Sequence, residues 1–385
     1  MSVNINREKD IYQITRLITN FPVTAILGTR QCGKTTIAKE LKYSHFFDLE
    51  DPLSVSQMQT PQITLSKLNG LIVIDEIQKL PELFSLIRYL VDNHKDQKYL
   101  ILGSASRDLI KQSSETLAGR IAFYELSGFR YSDLDAALKT KHWLYGGLPR
   151  SLLAEDDTLS TLWRTNYIKT FLERDIPALG ISIPAVTLHR FWIMISHYHG
   201  SIINFSEIAR SFAISDKMVH RYCEILEGAF MIRLLQPWFI NISKRIIKSP
   251  KLYIRDSGIF HGLQSIETQN DLFSNPKLGN SFEGYVIEEI SKILENTDIY
   301  FYRTHNGTEL DLFWQKHGKN WGIEIKYSDT VQMTKSMHEA IKDLELVHIW
   351  VVYPGDKKYE IHEKVTAVPH RNLLDIFLIH PYTQE

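Results

Sequence analysis

The sequence predicts an α/β protein in three parts: a three-layer P-loop domain on a parallel sheet over residues 1–135, a helical and winged-helix middle, and a small second α/β domain at the C-terminal end. Three observations predict it. Short apolar strands alternate with helix-forming segments through the first third. Two short helices, a tight turn and a strand follow within residues 203–238. Strand and helix patterns then alternate again, around "ELDLFWQKHGKNWGIEIKYSD" (Glu309–Asp329).

The chain has 385 residues, more than one ordinary core accommodates, so two or three domains are expected. Hydrophobic residues are 44% and charged residues 23%, the composition of a globular protein. The formal net charge of -1 excludes a global field that attracts nucleic acid, so any basic surface must be local. Cys32 and Cys223 are the only cysteines, which excludes a disulfide framework and fits a reducing cytoplasm. The polar opening "MSVNINREKDIYQ" does not read as a signal peptide, and no apolar run nears the ~20 residues of a membrane span.

"PVTAILGTRQCGKTTIAKEL" (Pro22–Leu41) reads as strand, loop and helix, and its loop fits G-x-x-x-x-G-K-[ST]. Gly28, Thr29, Arg30, Gln31, Cys32, Gly33, Lys34, Thr35 and Thr36 form the nucleotide-binding stretch. The glycines permit a backbone that turns N–H groups onto phosphate oxygens, and the helix N-terminus adds a favourable dipole. Lys34 would reach the β and γ phosphates, and the Thr35 hydroxyl would ligate Mg²⁺. "GLIVIDEIQKLP" (Gly70–Pro81) is an apolar strand ending in Asp75, expected on Mg²⁺, and Glu76, placed to polarise the attacking water. Ser104, after the strand "KYLILGSAS", would touch the γ-phosphate or the water, or simply cap the next helix. Arg120 is a candidate arginine finger or sensor, with Arg107 and Arg174 as rivals; any of the three could instead make a structural ion pair.

The middle reads as a helical lid or linker over residues 136–200 and a winged helix-turn-helix over 201–265. Ser206 is expected to cap its first helix, and Ser215 or Asp216 its second. Lys217, His220 and Arg221 on the second helix are candidate DNA contacts, although Asp216 and Glu224 share that helix. A basic wing, "PWFINISKRIIKSPKLYIR", carries Lys244, Arg245, Lys248, Lys251 and Arg255 with no acid, and would grip phosphates without reading sequence. The spacing of His197, His199 and Cys223 fits no usual zinc pattern.

"NDLFSNPKLGNS" reads as a loop, and Ser281–Glu295 as an amphipathic helix bearing Glu283. Alternation places Glu324 and Lys326 on one strand face, and the Gly/Lys/Asn turn returns Asp311 beside them. Asp311 and Glu324 are hard oxygen ligands for Mg²⁺ or Mn²⁺, Glu283 would complete the shell, and Lys326 would orient a metal-bound water. Such a constellation suits phosphodiester hydrolysis; the plainer reading is an exposed charged hairpin.

The chain as a whole resembles the prokaryotic AAA-type ATPases with a C-terminal DUF4143 domain. The residues that carry the resemblance are "GTRQCGKTT", "LIVIDEIQKLP", "ILGSAS", "LAGR", "YGGLPR", "FLERDI", "KSPKLYIRDSGI" and "RTHNGTELDLFW…GIEIKYS". The resemblance implies a PD-(D/E)xK nuclease-like domain over residues 266–385. Its acid–acid–lysine signature maps onto Asp311, Glu324 and Lys326, with Glu283 as the helix acid and Leu310 where a proline would stand. The expected function is an ATP-hydrolysing protein that couples nucleotide state to non-specific DNA binding, with metal-dependent cleavage left open. A homo-oligomer is expected, in which a neighbouring subunit's arginine completes the ATP site. The alternative is an ATP-dependent switch on a protein partner, with an inactive nuclease-like domain.

Overall fold

The computed structural model describes residues 5–103, 116–178, 181, 183–239, 247–295 and 297–379. The chain divides into two compact units, Met1–Phe129 with Glu224–Met231, and Arg130–Cys223 with Ile232–Glu385.

The first unit is built on β1 (Val23–Leu27), β2 (His45–Asp48), β3 (Gly70–Asp75), β4 (Gln97–Leu102) and β5 (Ile121–Glu125), in the order β2-β3-β4-β1-β5. Every pairing is parallel. A parallel sheet needs crossover connections, and helices on both faces bury its strands twice. That is why "VTAIL" and "GLIVID" are continuous apolar runs and do not alternate. Helices α1 (Glu8–Asn20), α2 (Lys34–Glu40) and α3 (Leu83–Asn93) belong to this unit. Val23, Ala25, Ile72 and Ile74 from the sheet share a buried cluster with Phe84, Ile87 and Leu90 of α3. The order inserts β4 between β1 and β3. The phosphate loop after β1 and the acids ending β3 therefore stand at one sheet edge, two strand spacings or about 10 Å apart.

The second unit begins with helices α4 (Ala136–Tyr145), α5 (Asp157–Thr170) and α6 (Ala185–Ser196). Then come α7 (Phe205–Phe212), the start of α8 (Asp216–Gly228) and a small sheet of β6 (Ser201–Ile202), β7 (Ile232–Leu235) and β8 (Lys251–Ile254), ordered β6-β8-β7. Asn204, and not the expected Ser206, caps α7: its side chain accepts from the Glu207 N–H at 3.1 Å, while Ser206 bonds Asp216. Residues expected as a loop form the short helix Gln269–Ser274, because Thr268 and Asp271 close a reciprocal capping box that spacing alone did not reveal. Helix α9 (Leu278–Ile293) then starts earlier than Ser281.

The C-terminal sheet has the order β13-β14-β12-β11-β10-β9, formed by β9 (Ile299–Arg303), β10 (Glu309–Lys316), β11 (Lys319–Ile325), β12 (Leu346–Tyr353), β13 (Tyr359–His362) and β14 (Val365–Pro369). One set of inward residues, Leu312, Trp314, Ile323 and Trp350 among them, packs with Phe282, Val286 and Ile290 of α9. Another, including Phe313, Ile349 and Val351, packs with Met337 and Ala340 of α10 (Lys335–Asp343). The hairpin β10–β11 is antiparallel, with Leu312 opposite Ile323 and Phe313 opposite Gly322.

Candidate functional site

Gly28 opens the phosphate loop at a φ of 154°, and a Cβ there would meet the Leu126 carbonyl oxygen at 2.1 Å. Gly33, at a φ of 107°, ends the loop in left-handed backbone directly before α2. Lys34 is buried, and its ammonium donates to the Gly28 and Thr29 carbonyls at 2.9 Å each. The loop thus keeps a positive charge under the backbone that would curl around phosphates. Thr35 donates its hydroxyl to Asp75 Oδ2 at 2.7 Å, so the first helical turn of α2 and the end of β3 meet. Asp75 also accepts the Glu76 N–H at 2.9 Å. Glu76 stands at a φ of 55°, which turns the chain sharply off the strand, and its carboxylate bonds Gln78. Burial pushes the Asp75 carboxyl up, partly offset by the Thr35 bond. Burial and then neighbouring Asp75 push Glu76 up as well.

Sequence reasoning missed Arg7. This buried guanidinium ties three parts of the site together: Nε bonds Asp10 at 2.8 Å, Nη1 donates to the Cys32 carbonyl at 3.0 Å and Nη2 to the Ser127 carbonyl at 2.7 Å. The only signal was an arginine in a polar leader, 25 residues from the loop it braces. Arg7→Met is expected to weaken ATP affinity about tenfold, since roughly 1.4 kcal/mol of loop positioning is lost with its charge-assisted bonds. Titration with a fluorescent ATP analogue, beside a melting curve to separate folding from binding, checks this.

Asp311 and Glu324 are buried, and the β10–β11 register extended by one residue sets them opposite each other. Asp311 Oδ2 accepts the Ile325 N–H at 2.9 Å. Lys326 pairs with Glu324 Oε1 at 2.6 Å. Glu283 of α9 joins them, but through an unexpected partner. Lys251, read from sequence as part of a DNA-gripping wing, is 2% exposed, and its ammonium sits 3.0 Å from Glu283, 2.7 Å from Glu309 and 3.1 Å from Asp311. Tyr253 donates its hydroxyl to the same Glu283 oxygen at 2.5 Å. The wing assignment of Lys251 is corrected accordingly: β8 aims it into the acids, where it cannot meet phosphate. Arg255, counted in the same wing, is also turned inward and bonds buried Glu288 at 3.1 Å.

The donor set does not fit a metal as it stands. Among the described residues, no three His, Cys, Asp or Glu side chains are arranged to hold an ion. An ammonium has three N–H donors, and here three carboxylates take them. Burial, and next Asp311, raise Glu324 to about 8. Burial raises Glu283 to about 7 against the opposing pull of Lys251.

Residues 20–134 match an AAA domain, 137–270 a domain of unknown function (DUF8612), and 278–373 a second one (DUF4143). An uncharacterized protein of Mycobacterium tuberculosis is 41% identical over 374 residues, covering 96% of this chain and 85% of its own, and one of Mycobacterium bovis matches equally. The chain belongs to the AAA-type ATPases that carry a C-terminal DUF4143 domain. A solved Walker-type ATPase of Pyrococcus abyssi covers 68% of this DUF4143 ATPase and 96% of its own chain, at 15% identity and a TM-score of 0.46.

The remaining site residues of the DUF4143 ATPase are scattered. Arg120 leads into β5 at the sheet edge opposite the phosphate loop, and Asp92 holds its guanidinium at 2.7 and 2.9 Å. It is therefore no part of its own subunit's phosphate site. Arg174 lies in a π-helical turn, Phe171–Asp175, of the second unit. Lys217, His220 and Arg221 are exposed on α8, and His220 stacks on Phe205. Lys248 is exposed before β8. Ser104, Arg107, Lys244 and Arg245 lie outside the described residues. His199 is buried against Phe260 and accepts the Ile254 N–H, and burial lowers it to about 3, so it is a neutral core residue. No helix among the described residues is long and apolar enough to cross a membrane.

Proposed function

We propose that this protein hydrolyses ATP and uses the nucleotide state to control DNA binding by its second unit. The observation that carries the ATPase reading is the Thr35–Asp75 bond beside Glu76 at the mouth of the phosphate loop. Thr35 and Asp75 are the residues that would hold magnesium, whose charge offsets that of the phosphates when bound. Lys34 supplies a second counter-charge, and Glu76 is the base that would take a proton from the attacking water. In a homo-oligomer, an arginine from a neighbouring subunit would complete the site, and Arg174 and Arg120 are both candidates.

DNA contact rests on the exposed face of α8. A short helix after a tight turn, beside a three-stranded sheet, has the form of a winged helix-turn-helix, and Lys217, His220 and Arg221 are exposed on it. Lys217→Ser with Arg221→Ser is expected to lower duplex affinity equally for all sequences and to flatten the salt slope by up to ~0.9 per lost phosphate contact. Fluorescence anisotropy across a salt series, with and without ATP, tests both halves of the reading. DNA binding that ignores nucleotide would leave an ATPase with a protein partner as the better account.

A further inference from the structure

We propose that Lys251 occupies the cation position of the Glu283–Asp311–Glu324 cluster, so that this domain holds its own ammonium there and admits a divalent metal ion only when Lys251 is removed. The inference rests on geometry. Lys251 reaches Glu283, Glu309 and Asp311 within 3.1 Å, so the shared space between helix α9 and the hairpin is filled. The strand that bears it is fixed on both sides: Lys251 pairs with Ile202 of β6 and with Leu235 of β7. Its ammonium lies over the Phe301 ring, 5.7 Å from the centroid, a further favourable contact that holds the charge where it is.

The charges fit the same picture. Glu283, Glu309, Asp311 and Glu324 bring four carboxylates together, against Lys251, Lys326 and the Arg303 that pairs with Glu309 at 3.2 Å. Four acids so close need cations among them. A divalent ion would demand oxygens at ~2.0–2.6 Å, inside the space the ammonium takes. Glu324 Oε2 is buried with no hydrogen-bond partner, so one oxygen at the cluster already faces an unmet need for a positive charge or a donor. The carboxylates of Glu283, Asp311 and Glu324 are not arranged around an ion while Lys251 stands among them; Lys251→Ala would delete the resident cation and open its volume, so that they must close on another cation. In the wild type the cluster serves as an ion-pair lock that ties β8 to α9 and β10, and the domain cuts no phosphodiester.

Terbium luminescence on nucleotide-free protein tests this, with Tyr253 beside the cluster as the sensitising ring. Wild type is expected to give no site-specific signal, and Lys251→Ala to bind one terbium per chain, competed by manganese and lost in Lys251→Ala/Asp311→Asn. Lys251→Ala should also melt lower than wild type and recover with manganese, while wild-type melting does not respond. If Lys251→Ala does not fold, Lys251→Ser, which also removes the ammonium and opens its volume but keeps a hydroxyl donor, carries the same melting test. Two results would overturn the proposal: stoichiometric metal binding or manganese-dependent DNA nicking by wild type that Asp311→Asn abolishes, or a variant that folds and gains neither metal binding nor metal-dependent stability.

Discussion

Glu76→Gln is expected to keep ATP at parental affinity and to hydrolyse it at least about 100-fold more slowly, because a general base contributes roughly 10²–10⁴-fold. Binding relies on the loop backbone and on Lys34, neither of which the substitution touches. Turnover needs a proton acceptor, and Glu76 is the carboxylate that burial and Asp75 together push up. Its left-handed backbone at a φ of 55° is a costly conformation for glutamate, and it leaves the side chain at the end of β3 beside the Thr35–Asp75 bond. Lys34→Ala behaves differently: it removes the buried positive charge of the loop, so affinity and turnover fall together. Filter retention of labelled ATP and phosphate release, measured on both variants, separate the two roles. Parental hydrolysis by Glu76→Gln would remove Asp75–Glu76 from the catalytic assignment.

Glu288→Ala should destabilise the protein by about 3–5 kcal/mol, the cost of leaving buried charges without their partner. Glu288 projects from α9, is 4% exposed, and takes Arg233 at 2.5 Å and Arg255 at 3.1 Å. It pins the start of β7 and the chain just after β8 to one helix. Burial alone would raise its carboxyl, but the two guanidinium groups outweigh burial and hold it at about 2. The folded value lies below the ordinary glutamate value of 4.5, so this stabilisation is present above about pH 4.5 and is lost as pH falls toward 2. Urea unfolding at pH 7 measures the loss, and the difference between wild type and variant should shrink as the buffer is taken below pH 4.

The sequence by itself determined the chemistry of each local site. The phosphate loop, the strand ending in Asp75-Glu76 and the hairpin with Asp311 opposite Glu324 are each set within a few dozen residues, by backbone geometry and period-two alternation. Tertiary structure alone decided which distant groups complete those sites. The position of β4 between β1 and β3 is a property of sheet order, which no local pattern encodes. Arg7 is 25 residues from Cys32 and 120 from Ser127, yet it braces both. Lys251 looked like one more residue of a basic stretch, because an alkyl ammonium has the same local signature whether solvated or buried. It lies 32 residues from Glu283 and 60 from Asp311, and only the pairing of β8 with β6 and β7 aims it at them. A buried carboxylate cluster requires a cation, and that much was legible from charge repulsion. Whether the cation is a metal or the chain's own lysine depends on which side chain reaches the cluster, and that is settled by packing.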